Sequence, residues 1–395
     1  MGMTKLTTIG VLAVMVLSAC APRIGQRSGE WQREDQPAAL EVGTIVATSI
    51  GQRVPLDRLI GELHNADVIY VGETHTNQAD HNVQLKILET LHAANPHIVL
   101  AMEMFPRRAQ RALDGWTSGR LTEEQFLKES DWAAVWGYPF ALYRDLLLFA
   151  REHRLKVVGL NAPPEVVREV GRRGLASLTP AQRAEVARDF DHSNANHRQS
   201  LLEQYSRHAQ LDIQGFESFY DAQLTWEETM AETLAVEIAA RPPGEQIVAL
   251  IGNGHIAYRY GVPERALRRQ NHSYRTVVTL TAPVASSSVT TDIADYVWVT
   301  ATAPPPAFRG GLGIFAREAG EGEGILVVGV IPGGPAAQGD IRKGDILVSM
   351  DDHPLRRVEE LTAILSASPP AAVHRFLLRR GAAVETATVS MPGAD

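Results

Sequence analysis

The sequence predicts an α/β fold, a mostly parallel sheet with long helical insertions, followed by a small β-rich domain. Three observations carry this expectation. Four runs of apolar, largely β-branched residues, Val68 to Val71, Ile98 to Met102, Val157 to Leu160 and Ile247 to Ile251, have the length and near-continuous apolarity of strands buried on both faces. The segments between them are long enough for the crossovers that parallel pairing requires, and the first has helical periodicity. A proline run, Ala301 to Pro306, then separates this region from a glycine-rich C-terminal segment.

Each strand runs into polar residues: Gly72-Glu73-Thr74-His75, Glu103, Asn161, and Gly252-Asn253-Gly254-His255. In an open parallel sheet ligands bind in the crevice outside the carboxyl ends of the strands, so four strand ends should deliver polar groups to one edge.

The 395 residues suffice for two domains, and 45% hydrophobic with 21% charged residues is ordinary for globular protein. A formal charge of -8 argues against a nucleic-acid partner, because affinity for phosphate backbones comes from clustered Lys and Arg. At the N-terminus Lys5 precedes an apolar run from Ile9 to Leu17. About ten apolar residues fall short of the ~20 that span a bilayer and suit the h-region of an export signal. Leu17-Ser18-Ala19-Cys20 resembles the lipobox of bacterial lipoproteins, whose cysteine is lipidated and becomes the first mature residue. Cys20 is also the single cysteine, which leaves the mature chain without a disulfide or a cysteine metal site. By the same resemblance, Ala21 rather than aspartate after the cysteine implies an outer-membrane lipid anchor, with the protein facing the periplasm. The polar stretch that follows reads as a tether.

Between the first two strands, Val83, Leu85, Ile87, Leu88 and Leu91 give an amphipathic helix over His81 to Ala94, ended by Asn95-Pro96. The second crossover, Arg107 to Arg154, is rich in aromatics: Trp116, Phe126, Trp132, Trp136, Tyr138, Phe140 and Tyr143. Most of these read as core, since large aromatics are usually buried for area alone, although so many in one insertion could also wall an apolar pocket. Ala162-Pro163-Pro164 fits a helix start, and Leu178 to Ala240 reads as helical throughout, with Thr179-Pro180 as its cap and first turn. Gln223, Trp226, Met230 and Leu234 line one stripe of the last helix and read as a core face. The sheet resumes at Ile247, then Thr276 to Leu280, then Tyr296 to Thr300.

Gly72-Glu73-Thr74-His75, Ala101 to Phe105, Trp132 to Tyr138, Gly159-Leu160-Asn161, Ala222-Gln223 with Trp226 and Met230-Ala231, and Gly252 to His255 occur in an order that resembles the ChaN family. These are iron-regulated, haem-binding uptake lipoproteins within the Tiki and erythromycin-esterase-like superfamily. The resemblance covers about residues 55 to 300. Glu227 departs from it, standing where aspartate is expected after the tryptophan.

Glu73, His75, Glu103 and His255 are two carboxylates and two imidazoles from three strand ends. Such a set can bind a divalent metal such as zinc or manganese that acidifies water, or act as acid and base without metal. It can also be a buried polar network that only ties loops together, although the glycines beside each group suggest close approach by a ligand. Related superfamily members look like hydrolases acting on a peptide or ester through this arrangement. The ChaN resemblance implies haem or a related iron ligand instead, with a homodimer enclosing it as a further expectation. Haem iron takes histidine or tyrosinate as axial ligand, and His75, His255, His192, His197, Tyr205 and Tyr258 are the candidates.

Beyond the linker, Arg309 to Ile314, Val327 to Val330, Gly333 to Ala337, Ile341 to Leu347 and Val358 to Leu365 resemble a bacterial PDZ domain. A Gly311-Leu312-Gly313-Ile314 loop and strand can aim N–H groups at a peptide or protein C-terminus while pairing with it as an added strand. The helix near Val358 should form the other wall of that groove. The expected organisation is therefore a signal peptide at 1–20, a tether at 21–54, the α/β domain at 55–300, a linker at 301–308 and a PDZ domain at 309–393. The leading expectation is a lipid-anchored envelope protein of iron or haem uptake or storage, with the metal-dependent hydrolase as alternative and an envelope scaffold as a weaker one.

Overall fold

A computed structural model describes residues 39–208, 213–302, 312–319, 324–330, 334–369, 371–381 and 383–391. The expected lipidation site Cys20, most of the proline linker and Gly311 lie outside the described residues. The chain divides into two compact units, Met1–Thr302 and Ala303–Asp395.

The larger unit is built on an eight-stranded sheet: β1 (Ile45–Ala47), β2 (Gln52–Arg53), β3 (Val68–Glu73), β4 (Ile98–Pro106), β5 (Lys156–Asn161), β6 (Gln246–Gly252), β7 (Tyr274–Thr281) and β8 (Tyr296–Thr300), in the order β2-β1-β8-β7-β3-β6-β4-β5. The six strands from β8 to β5 are mutually parallel, and β1 and β2 close one edge antiparallel. Each predicted strand is present. β3 and β4 run further than their apolar residues, so Glu73 is paired in the ladder and Glu103 sits in its strand just beyond Met102, the last residue paired with β6. β6 inserts between β3 and β4, in register Glu73↔Gly252 and Met102↔Leu250, which brings three strand ends side by side.

Alternate residues of each strand feed two cores, as the twofold strand period dictates. Ile69, Val71, Leu100, Met102, Val248 and Leu250 pack under the helices Leu56–Leu63, Gln78–Ala94, Gln110–Thr117 and Arg144–Glu152. Val68, Tyr70, Val99, Ala101, Ile247, Ala249 and Ile251 pack against Met230, Leu234 and Ile238 of the long helix Ile213–Ala240 and against Val262 and Ala266 of Val262–Arg269. Asn77 caps the Gln78–Ala94 helix through its side chain, three residues before the expected start. The aromatic insertion is mainly core: Trp116, Phe126, Trp132 and Tyr143 are buried, and Trp136, Tyr138 and Phe140 are half-buried.

One expectation fails. Leu178 to Ala240 is not helical throughout, because the chain leaves helix from Glu185 to Asn194. The reason is tertiary: side chains of the long helix capture the backbone N–H groups of this stretch, Ala187 by Thr229, Arg188 by Glu232 and Asp191 by Glu228, at 3.1, 2.9 and 2.8 Å. Those bonds replace the ones a helix would have made.

The smaller unit has strands Ile314–Glu318, Ile325–Val330, Ile346–Met350, His353–Pro354, Val373–Arg380 and Ala383–Ser390, all antiparallel, with helices Pro335–Gln338 and Val358–Ala367. Its core joins Leu312, Ile325, Val327, Ile341, Leu347, Met350, Leu361, Phe376, Leu378 and Val389. Asp345 of the Lys343-Gly344-Asp345 motif is a fold clamp: Arg380 donates to both its oxygens at 2.8 Å and the Arg342 N–H to one of them at 2.8 Å.

Candidate functional site

The site lies at the carboxyl ends of β3, β6 and β4, where sequence reasoning placed it. It contains two matching halves, one from each face of the sheet. On the face covered by the Gln78–Ala94 helix, Glu73 is buried at the end of β3 and both its oxygens are engaged. His75 Nδ1 donates to Oε1 at 2.5 Å, His81 Nε2 donates to Oε2, and the Tyr143 hydroxyl lies 3.1 and 3.2 Å from the two oxygens. Burial would raise the Glu73 carboxyl, but the charges of His81 and His75 outweigh it and hold the group down at about 2. Burial likewise pushes the His75 imidazole down, and the Glu73 charge more than reverses this.

On the opposite face the long helix presents Glu227, also buried. Its Oε1 lies 3.2 Å from His255 Nδ1 and 3.3 Å from His197 Nε2, while Arg265 Nε donates to Oε2 at 3.2 Å. Burial opposes ionisation of Glu227, and His197, His255 and Arg265 overcome it and hold its carboxyl far below the usual range. His255 is raised, because Glu103 and Glu227 outweigh the cost of burial. Arg265 also pairs with Glu228, and its NH2 donates to His197 Nδ1 at 3.1 Å. A cavity of about 230 Å³ lies behind this network, lined by Asp191, Asn194, Tyr260, Glu264, Arg265 and Arg268.

Glu103 lies between the halves. Its Oε2 accepts the Gly252 N–H at 2.6 Å, and its Oε1 is 3.6 Å from His255 Nε2. A methyl group on Gly252 would stand 2.8 Å from His75 Cε1 and 3.4 Å from Glu103 Oε2, and one on Gly72 would stand 2.0 Å from Asn253 Oδ1. These two glycines thus admit the site's own side chains, where the sequence suggested room for a ligand. With both Nδ1 atoms tied to buried carboxylates, Nε2 is the ring nitrogen left to each of His75 and His255, and their side chains retain 18% and 13% exposure. The rim is aromatic. His75 meets the Trp136 ring edge-on at 4.7 Å and Tyr138 at 5.4 Å, and His255 meets Trp226 at 6.2 Å, all three rings being half-buried. The Tyr138 hydroxyl is buried without a hydrogen-bond partner; burial and the charges of Glu73 and Glu103 push its phenol above the usual range.

The four candidates Glu73, His75, Glu103 and His255 therefore come together, but in different settings: Glu73 and Glu103 are both buried, and the two imidazoles keep partial exposure. Asn161 is not presented there, since its side chain spans the Glu103 carbonyl and the Ala162 N–H. Among the remaining histidines and tyrosines considered for iron, His197 sits behind Glu227, His192 pairs with Asp221 at 3.0 Å, and Tyr205 packs with Phe216 and Phe219. Tyr258 follows His255 in a left-handed conformation, φ 58°, and stacks on Tyr260. Sequence reading missed His81, Tyr143 and Arg265, and noticed Glu227 only as a departure from the family pattern. No local signal pairs Glu73 with a residue eight positions on, or Glu227 with a loop 28 residues away. Among the described residues no group of three or more histidine, cysteine or acidic side chains is set to hold a metal ion.

In the smaller unit, Leu312 is buried in the core and its carbonyl accepts the Ala336 N–H at 2.9 Å. Gly313 takes a left-handed conformation, φ 76°, that glycine adopts without strain. Ile314 opens the strand Ile314–Glu318, which among the described residues is paired on one side only, by Ile325–Val330. Such an edge can accept a further strand.

Fold and site together define a parallel α/β domain with a histidine–carboxylate cluster at its sheet edge, joined to an antiparallel PDZ domain whose family profile matches residues 326–380. The profile of the haem-binding uptake family ChaN, of the Tiki superfamily, matches residues 59–266, more than half of the chain, and the protein belongs to that family. ChaN of Campylobacter jejuni, whose structure is described as binding haem cofacially, shares the fold: TM-score 0.51 at 17% identity, over 64% of this chain and 95% of that one. The chloroplast protein RETICULATA-RELATED 5 of Arabidopsis thaliana is 22% identical over 269 residues, 62% of this chain. The magnetosome formation protease MamE of Magnetospirillum gryphiswaldense is 35% identical over 72 residues, 18% of this chain. The chain spans only 36% and 9% of these two relatives.

Proposed function

We propose that the α/β domain binds haem or a related iron ligand over the mouth of the His75–Glu103–His255 cleft, and that the PDZ domain recruits a protein partner. The carrying observation is that two partly exposed imidazoles, each tied through Nδ1 to a buried carboxylate and left with Nε2, gather at one sheet edge with half-buried Trp136, Tyr138 and Trp226 around them. The donors fit the group: an imidazole with a free Nε2 can ligate iron, its carboxylate partner raises its basicity, and flat apolar rings suit a porphyrin face. Haem would contribute an iron centre able to take an axial nitrogen; the residues orient, support and shield it. Membership of a haem-binding family supports this reading. Titration of the mature protein with haem should give a saturable Soret shift, changed by His75→Ala or His255→Ala in a domain that remains folded. Absence of a saturable shift overturns haem binding.

The alternative, a divalent-metal hydrolase of a peptide or ester, would draw on Glu103 and the two imidazoles, a set that among the described residues is not arranged to hold a metal ion. Stoichiometric zinc or manganese that copurifies, and that those two substitutions remove, would favour it over haem. The further proposals are a lipid anchor at Cys20 in the outer membrane, facing the periplasm, a role in iron or haem uptake or storage, and a homodimer around the ligand. Unchanged detergent-phase partitioning of Cys20→Ser refutes the anchor. Light scattering with and without haem tests the dimer. For the PDZ groove, replacing Ile314 by a charged residue in the folded protein should abolish recovery of a partner in pull-down.

A further inference from the structure

The two halves of the site repeat one arrangement that the fold does not require. Glu73 and Glu227 come from different elements on opposite faces of the sheet, a strand end and the middle of a helix. Each is buried, each accepts from the Nδ1 of a partly exposed histidine, and each has a second buried histidine behind it, His81 hydrogen-bonded to Glu73 and His197 with Nε2 3.3 Å from Glu227 but outside hydrogen-bond geometry. A further group completes each set, the Tyr143 hydroxyl for Glu73 and the Arg265 guanidinium for Glu227. A neutral imidazole has one donor and one acceptor nitrogen, and the partner of one nitrogen decides the role of the other. A carboxylate can only accept, so a ring nitrogen within hydrogen-bond reach of it carries the proton there; Glu227 is within that reach of His255 Nδ1 at 3.2 Å, and Glu103, 3.6 Å from Nε2, is not.

We propose that Glu227 is the positioning residue for His255, fixing its proton on Nδ1 and its Nε2 lone pair toward the cleft, as Glu73 does for His75. The cleft then offers two imidazole acceptors of set tautomer, one from each face of the sheet, beside Glu103. It takes a ligand group that accepts electron pairs: a Lewis-acidic centre or a strong hydrogen-bond donor. Arg265 sets the direction of this support. It holds Glu227 Oε2, leaving Oε1 for His255 and His197, and its own charge is balanced by Glu228. The inference concerns the ligand-free protein and goes beyond haem binding; either can fail while the other stands.

The test is long-range ¹H–¹⁵N spectroscopy of the histidine rings in the full chain, at a pH where both cleft rings are neutral. Assignment comes from His75→Gln and His255→Gln. Wild-type His75 and His255 should each show a protonated Nδ1 and an unprotonated Nε2. In Glu227→Gln the guanidinium retains the amide oxygen, so the amide NH2 turns to His255 Nδ1 and the ring must move its proton to Nε2. The two ¹⁵N shifts of His255 then exchange places while those of His75 stay. Glu227→Asp keeps an acceptor and should retain the wild-type tautomer. The proposal is overturned if wild-type His255 carries its proton on Nε2, or if a folded Glu227→Gln leaves the tautomer unchanged. Should that variant not fold, the wild-type spectrum and Glu227→Asp still decide.

Discussion

Replacing Gly252 with alanine perturbs the site by one methyl group whose position is known. The backbone there, φ -55° and ψ 139°, is open to any residue, so no conformational penalty arises and the effect is one of space. The methyl would stand 2.8 Å from His75 Cε1, whereas unstrained carbon contacts are about 3.5–4.0 Å. The ring must therefore retreat by roughly 1 Å. It cannot do so and keep its 2.5 Å bond to Glu73 unless the carboxylate follows, and His81 and Tyr143 pin that carboxylate. Loosening a hydrogen bond to a charged group costs about 1.5–3 kcal/mol, and shifting the strand instead costs about 1–3 kcal/mol. Alanine recovers about 0.4–1 kcal/mol by restricting the unfolded chain. The expected net loss is about 1–2 kcal/mol, read by urea denaturation, together with changed ring resonances of His75. Gly254→Ala is the control, since a methyl two residues on meets nothing within 4 Å. If Gly252→Ala proves as stable as Gly254→Ala with His75 unshifted, the close approach of ring and strand is wrong.

Arg265→Met should cost about 3–5 kcal/mol, because it leaves Glu227 buried without its guanidinium, while Glu228 keeps Arg268 and Arg269; a loss under 1 kcal/mol in denaturant would contradict this. Tyr143→Phe removes a hydroxyl donor from the Glu73 carboxylate and should cost about 1.5–3 kcal/mol by the same measurement. The ligand-free protein should lose stability at both ends of the pH range. The depressed Glu73 contributes stability that is fully present above its ordinary 4.5 and is lost as pH falls toward about 2. The raised His75 and His255 contribute stability present below their ordinary 6.5, and it is lost as pH rises through their raised values. Melting curves between pH 2 and 9, repeated for His75→Gln, check both limbs; a flat acid limb would contradict the Glu73 assignment.

Much of the fold was legible because its signals are local. A run such as Ile247 to Ile251 has no solvent-facing residue, so burial on both faces and hence a place inside a parallel sheet follow from the run alone. The glycine and polar residues after each run mark where strands end, and the sheet's polarity then sends Glu73, His75, Glu103 and His255 to one edge. The Leu178 to Ala240 segment was misread for the complementary reason. Its composition permits helix, and what breaks it is Thr229, Glu228 and Glu232 reaching across from another helix. The aromatic insertion lies between these cases: its burial was expected from residue type, but not which two rings, Trp136 and Tyr138, would flank His75.

The sequence by itself determined the α/β class, the PDZ domain and which strand ends carry the polar residues that converge, because periodicity and turn residues act within a few positions of themselves. Only the tertiary structure decided what each polar residue does. Glu73 and Glu103 look alike in sequence, a carboxylate at a strand end, yet one is enclosed by His75, His81 and Tyr143 and the other accepts the Gly252 N–H beside His255. Residues on alternate positions of neighbouring strands enter opposite layers, and the helices of those layers supply their partners. A buried charge is tolerable only where such partners exist, so its role is fixed by residues far away in the chain.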